Sequence, residues 1–337
     1  MVKAGTEALN LDFARDGKRS SWIPIPLGAG KPPIRLPITI LRKGPGPTLL
    51  LTGGNHGDEY EGPVALMKLI AALQPEDLLC GTLVIMPLLN PPALAAGTRT
   101  SPLDGKNLNR VFPGKPDGSP TERIAHAITS EILPQVETVY DLHAGGRTTV
   151  FIPSVMIHKL PDKAQMERTV AAMKAFRAPA GIVIAEFESE GMLDTTVERM
   201  GKVFGCCELG GAAMLTPETV DVTETGIRNL LIHLGMMKGR LRTARWQGRR
   251  RTRILEALSF ERYLRAEASG LFEPFLELAA EVETGQPIGQ IHDPEAPGEP
   301  ATLCKAPRSG ILYRRRAFGL VEQGQVVGLV ASEEEAR

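Results

Sequence analysis

The sequence has few cysteines, no net charge and no long apolar run. Its four cysteines form no Cys-x-x-Cys pattern, so neither a disulfide framework nor a thiolate zinc site is indicated. Lys plus Arg equals Asp plus Glu, at 39 each, so no net field attracts nucleic acid or an anionic membrane. No stretch approaches the roughly 18 apolar residues of a membrane span, and residues 1–21 lack the apolar core of a signal peptide. We therefore expect a cytoplasmic protein with reduced cysteines that binds neither nucleic acid nor membranes.

The length and the apolar content are sufficient for a full hydrophobic core. With 337 residues, of which 42% are hydrophobic, one large domain and one small domain are expected. Short apolar runs bounded by glycine and proline, typical of buried strands, alternate with segments of helical spacing through residues 49–237. This alternation predicts an α/β fold with a mixed sheet and helices on both faces. Residues 1–44 should form lead-in strands and residues 45–240 the main domain.

The last part of the chain contains an arginine-rich stretch and an internal repeat. Because the overall charge is balanced, the arginines of residues 241–256 favour a solvated basic linker over a nucleic-acid patch. Residues 270–291 and 310–330 both begin with glycine and an apolar residue, and both end Gly-Gln-x-x-Gly-x-apolar. Units of this length cannot bury a core singly, so the two copies should pair into a small all-β sandwich over residues 257–337.

This repeat resembles the barrel-sandwich fold of biotinyl and lipoyl carrier domains. Those domains carry a modified lysine on the hairpin between the two copies. The corresponding hairpin here, residues 293–299, contains no lysine. We therefore expect a structural or oligomer-forming unit, and a homo-oligomer.

The stretch around residues 49–63 is the one that points most directly to chemistry. An apolar run ends in Gly53-Gly54, and His56 and Glu59 follow. A strand thus leads to a turn that presents an imidazole and a carboxylate three residues apart. Such a pair suits two of the three protein ligands of a catalytic zinc site, and His143 is the best candidate for the third. The same letters also fit a polar turn without a metal, so the motif alone leaves both interpretations open.

Other polar residues fall at the ends of predicted strands, where sites gather in α/β sheets. His143 follows one such strand and Glu208 another. Glu208 lies beside two cysteines in an apolar strand, and a buried carboxylate without a partner is unfavourable, which favours a metal-linked role. Asp141 fits equally a support for a ligand histidine and a loop cap.

A long loop rich in Pro, Gly and Asn spans residues 90–118. Long irregular loops inside a compact domain are usually functional. This loop contains Arg99, Asn109 and Arg110. Arg110 offers a planar fork that matches a carboxylate, and it could also pin the loop through backbone carbonyls.

Four motifs occur in a fixed order along the main domain. They are Gly54-Asn55-His56-Gly57-Asp58-Glu59, then Asn109-Arg110 followed by Phe112-Pro113-Gly114, then Asp141-Leu142-His143, then Glu208-Leu209-Gly210. The set resembles the zinc carboxypeptidase clan and, more closely, its succinylglutamate desuccinylase and aspartoacylase branch, over residues 45–235. The resemblance implies that residues 45–240 form a zinc hydrolase domain with one Zn²⁺ per chain.

The resemblance also implies a role for each matched residue. His56, Glu59 and His143 would bind the zinc. Glu208 would take a proton from the attacking water and pass it to the leaving amine. The remaining three would contact the substrate: Asn109 and Arg110 at its carboxylate, and Arg99 at the oxyanion.

Within the branch, residues 53–63, 97–105 and 191–195 are most similar to the ectoine-degradation deacetylases that act on N-acetyl-2,4-diaminobutyrate. The resemblance implies zinc-dependent removal of an acyl group, most simply acetyl, from a small N-acyl amino acid. A desuccinylase, an aspartoacylase-like enzyme or a small carboxypeptidase is an alternative within the enzymes. Outside them, the chain could be a metal-free binding protein that recruits a partner through its C-terminal sandwich.

Overall fold

The computed structural model describes residues 11–28, 30–185 and 190–333. The helices are α1 (Glu61–Ala72), α2 (Pro91–Ala96), α3 (Pro120–Ala127), α4 (Lys163–Phe176), α5 (Leu193–Arg199) and α6 (Pro217–His233). The first nine strands are β1 (Gly17–Ile25), β2 (Ile34–Lys43), β3 (Thr48–Gly53), β4 (Gly81–Met86), β5 (Thr138–His143), β6 (Thr149–Phe151), β7 (Ser154–His158), β8 (Ala180–Ile184) and β9 (Val203–Glu208). The later strands are β10 (Arg253–Ala257), β11 (Tyr263–Arg265), β12 (Gly270–Pro274), β13 (Glu281–Val282), β14 (Pro287–His292), β15 (Thr302–Lys305), β16 (Gly310–Arg316), β17 (Leu320–Val321) and β18 (Val326–Glu333).

One large mixed sheet organises the described residues. Its strand order is β1-β2-β4-β3-β5-β9-β7-β8-β10-β18-β16-β13, with β11 paired to β18 and β6 paired to β16. The neighbours β4, β3, β5 and β9 run parallel, whereas β7 runs antiparallel to β9. The predicted mixed sheet is therefore confirmed. Among the described residues, no helix combines the length and the apolar character that crossing a membrane requires.

Helices cover both faces of the central strands, as the sequence predicts. Alternate residues of a strand point to opposite faces. Leu49 and Leu51 of β3 accordingly belong to one core cluster, with residues of α1, α4 and α6, while Leu50 belongs to a second cluster with residues of α3 and α5. All three leucines are fully buried. This two-sided burial explains why the strand is an uninterrupted apolar run.

The long loop before α3 is held by that helix. Ser119 and Glu122 form a capping box at the start of α3, which satisfies backbone donors that a helix start leaves open. The carboxylate of Asp104 accepts hydrogen bonds from the backbone and hydroxyl of Thr121, at 2.9 and 2.7 Å. Lys106 pairs with Glu122 at 2.8 Å. These contacts fix the loop that carries Arg99 and Asn109 against the sheet.

The stretch that we predicted as a solvated basic linker, residues 241–256, is partly structural. Its end lies in β10, which pairs parallel with β8 and antiparallel with β18. Ala244 is buried in the main core, and Trp246 packs against two core clusters. The arginines are mostly exposed, but the apolar residues between them anchor the segment, a feature that the charge pattern hides.

The two copies of the C-terminal repeat interlock. Strand β12 of the first copy pairs with β17 of the second, and β13 pairs with β16. Equivalent turns recur in both, because the backbone N–H groups of Glu283 and Glu322 donate to the side-chain oxygens of Gln286 and Gln325. Strands β12, β14, β15 and β17 form a second sheet, separate from the large one. Strands of each copy thus pair with strands of the other, which agrees with the expectation that neither copy buries a core alone.

The C-terminal strands are also joined to the main domain. Strand β16 pairs with β6, and β18 pairs with β10. Tyr313 and Leu329 share a buried cluster with Ile152 and Ile182. The hydroxyl groups of Tyr313 and Ser154 are 2.7 Å apart. The C-terminal unit is therefore joined to the main domain through β6 and β10.

Candidate metal centre and active site

Three neighbouring parallel strands bring the candidate side chains to one edge of the sheet. In the register of β3, β5 and β9, Gly53 lies opposite Leu142, and His143 lies opposite Glu208. His56 and Glu59 follow β3 in a tight turn. The turn approaches α2 so closely that a Cβ on Gly57 would lie 2.0 Å from the Ala93 carbonyl oxygen. Only glycine fits there, which explains why a glycine follows His56 in the sequence.

The structure brings His56, Glu59 and His143 together as a buried cluster. Each offers one donor atom, and these atoms lie within 4.8 Å of one another. The Nδ1 atom of His56 is 2.8 Å from Oε1 of Glu59, and Nδ1 of His143 is 2.8 Å from Oε2. All three residues are at most 4% exposed. Two imidazoles and one carboxylate form a donor set of the kind that holds a catalytic zinc ion.

A further layer of contacts orients both rings. Nε2 of His143 lies 2.6 Å from Oδ2 of Asp141, which also accepts from Asn55 at 3.0 Å. Nε2 of His56 lies 3.1 Å from Oδ1 of Asn107. Because Asp141 accepts the Nε2 proton of His143, the Nδ1 lone pair of that ring is left for a metal. Of the two interpretations of Asp141, the supporting contact to a histidine is the one observed.

The charges in the cluster suit a cation. Burial lowers the pKa of His56, although Glu59 opposes the shift, so this ring is readily neutral. Burial tends to raise the pKa of Glu59, but the two facing histidines outweigh it and hold the pKa well below its usual range. Glu59 is therefore an ionised carboxylate between two ring nitrogens. Burial tends to lower the pKa of His143, but Asp141 and Glu59 outweigh it and hold this pKa well above its usual range. Since imidazoles bind metals in the neutral form, His143 would release a proton when a metal binds.

Glu208 lies beside the cluster with one oxygen atom unsatisfied. Its Oε2 atom is buried and has no hydrogen-bond partner in the described part of the chain. Burial and the nearby Glu59 charge raise the pKa of Glu208 to about 8, while His143, Arg99 and Arg314 act in the opposite direction. Buried carboxyl groups with raised pKa values are typical of general acids and bases.

A pocket of about 540 Å³ opens next to Glu208. Its lining includes Arg99 and Arg147, and from the C-terminal strand β16 it includes Arg314. The guanidinium of Arg99, half-exposed, lies 3.2 Å from Oε1 of Glu59. The lining therefore combines one general-base candidate with three guanidinium groups, an arrangement suited to an anionic substrate.

Two predicted substrate contacts, Asn109 and Arg110, are not among the residues that line this pocket. Asn109 is 7% exposed, and its Oδ1 accepts from the Leu193 backbone at 2.9 Å, so in this structure it braces the start of α5. Arg110 is exposed and donates to the Asn109 carbonyl oxygen at 2.6 Å.

Some residues of the site were missed by sequence reasoning. Asn107, whose side-chain oxygen contacts His56, was not among the predicted residues. Arg314 lies in the C-terminal repeat, where nothing in the pattern distinguishes it from Arg315 or Arg316. No local signal would have located it, because its position depends on how β16 pairs with β6.

Comparison with known proteins shows which family the chain belongs to. Residues 45–234 match the succinylglutamate desuccinylase/aspartoacylase catalytic domain. The chain belongs to this family. A curated member, the N-alpha-acetyl-L-2,4-diaminobutyric acid deacetylase of Halomonas elongata, is 41% identical over 324 residues, which are 95% of this chain and 93% of that protein.

Solved structures of the family superpose over nearly the whole chain. The product-bound ectoine utilization protein EutE (DoeB) of Ruegeria pomeroyi has a TM-score of 0.91 and 39% identity, covering 96% of this chain and 97% of its own. A succinylglutamate desuccinylase/aspartoacylase of Rhodobacter sphaeroides has a TM-score of 0.92 and 36% identity, covering 98% and 99%. The mixed α/β fold and the second, C-terminal sheet are therefore those of this family.

Proposed function

We propose that this protein is a zinc-dependent amidohydrolase that removes the acetyl group from N-alpha-acetyl-L-2,4-diaminobutyrate. The observation that carries the proposal is the convergence of His56, Glu59 and His143 within 4.8 Å, beside Glu208 and an arginine-lined pocket. Its second support is the 41% identity to a deacetylase of that substrate across 95% of the chain.

In this proposal His56, Glu59 and His143 hold one zinc ion per chain. The donor chemistry fits, since nitrogen and oxygen ligands in a set of three are those of catalytic zinc sites. Asp141 and Asn107 hold the two rings through their other nitrogen atoms. When bound, the ion would polarise the substrate carbonyl and acidify a water molecule.

Glu208 is the proton carrier of the proposed reaction. Its carboxylate takes a proton from the attacking water, and the protonated carboxyl then donates that proton to the amine nitrogen as the amide bond breaks. A general acid–base of this kind accelerates a reaction by about 10² to 10⁴. Burial and the Glu59 charge raise the pKa of Glu208 to about 8, close to neutral pH, and this supports a role as both acceptor and donor of the proton.

The arginines of the site neutralise negative charge in the proposed mechanism. Arg99, whose guanidinium contacts Glu59, is close enough to the cluster to stabilise the oxygen of the substrate carbonyl. The assignment of Asn109 and Arg110 to the substrate carboxylate rests on the family resemblance and stays a prediction. An Arg110→Gln variant tests it through the Michaelis constant for the acid substrate.

Metal analysis is the first test. The purified protein, loaded with zinc and dialysed, should contain about one zinc ion per chain, and His56→Ala should contain almost none. His233→Ala, at an exposed position at the end of α6, is the matched control and should retain the metal. Equal zinc content in wild type and His56→Ala would contradict the proposed site.

A substrate panel is the second test. The zinc-loaded protein is incubated with N-acetyl-diaminobutyrate, N-acetylaspartate and N-succinylglutamate, and the released acid is measured. We expect N-acetyl-diaminobutyrate to be hydrolysed with the largest kcat/KM. No turnover of any of the three would overturn the proposal of an N-acyl amino acid hydrolase.

One observation favours a second candidate substrate class. Three arginines line the pocket, Arg99, Arg147 and Arg314, and this suits substrates with more than one carboxylate. A succinylglutamate desuccinylase or an aspartoacylase-like enzyme is therefore the alternative, and the same panel separates it. A metal-free binding protein is not favoured, because a non-catalytic protein has no chemical need for the full set of His56, Glu59, His143 and Glu208.

The remaining features of the proposal concern organisation. We propose a barrel-sandwich fold for residues 257–337, supported by the exchange of strands between the two repeats. Residues 45–240 would form the catalytic domain.

A cytoplasmic location is supported by four free cysteines, typical of a reducing compartment. A homo-oligomer stays a prediction, which light scattering of the purified protein would test.

A further inference from the structure

A second buried polar cluster lies between the end of β7 and helix α5. Its members are His158, the last residue of β7, and the carboxylates of Asp194 and Glu198 on α5. Each of the three residues is at most 8% exposed, and none belongs to the metal-ligand cluster. Burying polar side chains is unfavourable unless they are paired, so a buried set of this kind needs a physical explanation.

His158 contacts both carboxylates. Asp194 and Glu198 are four residues apart, so they lie on the same face of α5. Nδ1 of His158 is 2.9 Å from Oε2 of Glu198, and its Nε2 is 4.0 Å from Oδ2 of Asp194. Burial raises the pKa of Asp194, although His158 opposes the shift. The other oxygen of Glu198, Oε1, is buried and has no hydrogen-bond partner within the described ranges, so this carboxylate depends on His158.

The main sheet holds His158 more firmly than it holds the helix. Strand β7 pairs with β8 on one side and with β9 on the other. Helix α5 has only seven residues, and isolated helices shorter than about 12 residues are marginal in water. The position of α5 therefore depends on tertiary contacts. Leu193 and Val197 supply the apolar ones in a core cluster, and His158 supplies the contact to the buried acidic face.

The start of α5 in turn holds the loop that carries Asn109 and Arg110. The backbone N–H of Leu193 donates to Oδ1 of Asn109 at 2.9 Å. Two residues earlier, the carbonyl oxygen of Gly191 accepts from the backbone N–H of Phe112, also at 2.9 Å. Gly191 lies so close to the loop that a Cβ there would collide with the Arg110 carbonyl oxygen. Residues 191–193 therefore contact the loop on both sides of Arg110.

We propose that His158 is a positioning residue, which holds α5 and through it orients Asn109 and Arg110 for the substrate. This inference rests on the proposed N-acyl amino acid hydrolase function and on the predicted assignment of Asn109 and Arg110 to the substrate carboxylate. His158 itself does not touch the substrate. Because it acts through the loop, its loss should weaken substrate binding and leave proton transfer by Glu208 unchanged.

Kinetics of zinc-loaded variants with N-acetyl-diaminobutyrate test this series of contacts. His158→Leu removes both contacts to α5, whereas His158→Gln keeps an amide that can donate to Glu198. Arg110→Gln is measured alone and in a double variant with His158→Leu. The matched control is Asn229→Ala, which removes buried hydrogen bonds between α6 and the backbone of segments other than α5 and the loop.

We expect His158→Leu to raise KM about 2- to 30-fold, the range for residues that affect a site without touching the ligand. Its kcat should change little, because the metal ligands and Glu208 keep their positions. His158→Gln should recover part of the loss, and the zinc content should equal that of wild type in both variants. Asn229→Ala should lower the midpoint of urea unfolding and leave KM unchanged.

The double variant shows whether His158 acts through the loop. In the Arg110→Gln background, His158→Leu should raise KM by clearly less than it does in the wild-type background, because the contact that it orients is already lost. Substitutions that act independently would instead multiply their effects on KM.

Four outcomes would overturn the inference. They are an unchanged KM in His158→Leu, an equal rise of KM in Asn229→Ala, independent effects in the double variant, and an unchanged KM in Arg110→Gln. If His158→Leu does not fold, His158→Gln takes its place in each comparison.

Failure of the proposed function is recognised separately. If wild type hydrolyses another member of the substrate panel, the proposed substrate fails and the same comparisons are made with that member. If nothing is hydrolysed, calorimetric binding of 2,4-diaminobutyrate to wild type, the two single variants and the double variant decides the inference by the same comparison. Absence of binding to wild type would overturn both the function and the inference.

Discussion

Two parts of the site, a first wall around the metal-ligand cluster and a second wall along β16, differ in how completely their polar groups are paired. In the first wall, formed by the ends of β3, β5 and β9, each carboxylate oxygen of Glu59 contacts a histidine, and Asp141 accepts from three side chains. In the wall formed by β16, Arg314 has no carboxylate partner within 4 Å among the described residues. The first wall can hold its geometry before substrate arrives, as catalysis requires. The second presents the Arg314 guanidinium to the pocket.

Glu208 is the exception in the first wall, because its Oε2 atom has no partner, and its replacement should have the largest effect. We expect Glu208→Gln to lower kcat by about 10² to 10⁴, because glutamine has the same shape but cannot accept a proton. The zinc content and KM should change little. Steady-state kinetics measure kcat and KM, and metal analysis measures the zinc content.

Glu61→Gln is the matched control for that experiment. Burial raises the pKa of Glu61 to about 8 as well, and Glu61 is not among the residues that line the pocket. We expect its variant to retain wild-type kcat. Similar losses of kcat in both variants would mean that any buried glutamate near the cluster matters, and would remove the evidence for a specific proton carrier.

A smaller effect is expected from weakening the support of a ligand. Asp141→Asn should lower the affinity for zinc about 10- to 100-fold, because the amide no longer provides a charged acceptor for the Nε2 proton of His143. Activity should return when zinc is added in excess. Competition with a chromophoric chelator measures the affinity.

Asp194→Asn provides the comparison for Asp141→Asn, because Asp194 is also buried and lies 4.0 Å from a histidine, His158, outside the pocket. Its zinc affinity should equal that of wild type. An unchanged zinc affinity in Asp141→Asn would indicate that the metal ligands do not need the hydrogen bonds that support their rings. The difference in side-chain pairing between the two walls would then have no effect on metal binding.

The two walls also differ in how far the sequence predicted them. His56 and Glu59 are three residues apart on one turn, and His143 and Glu208 end strands that are adjacent and parallel, so local motifs and strand order were sufficient to bring them together. Arg314 depends on a bulge in β16 and on the pairing of β16 with β6, two long-range features that no local pattern encodes. Arg110 shows the converse limit, because its motif was recognisable while its exposed orientation was not.

The smallest effect is expected at the junction between the walls, where the Tyr313 hydroxyl meets that of Ser154 at 2.7 Å. Tyr313→Phe removes this hydrogen bond and leaves the buried Ser154 hydroxyl without its partner. The free energy of unfolding should fall by about 1 kcal/mol, measured by urea denaturation. The double variant Tyr313→Phe/Ser154→Ala should recover part of the loss, because removing both partners leaves no unsatisfied group. If Tyr313→Phe instead raises KM for N-acetyl-diaminobutyrate, the hydroxyl contact also fixes the direction of Arg314, the next residue, which lines the pocket. The position of Arg314 would then depend on a contact with the main domain, and the two walls would not be independent of each other.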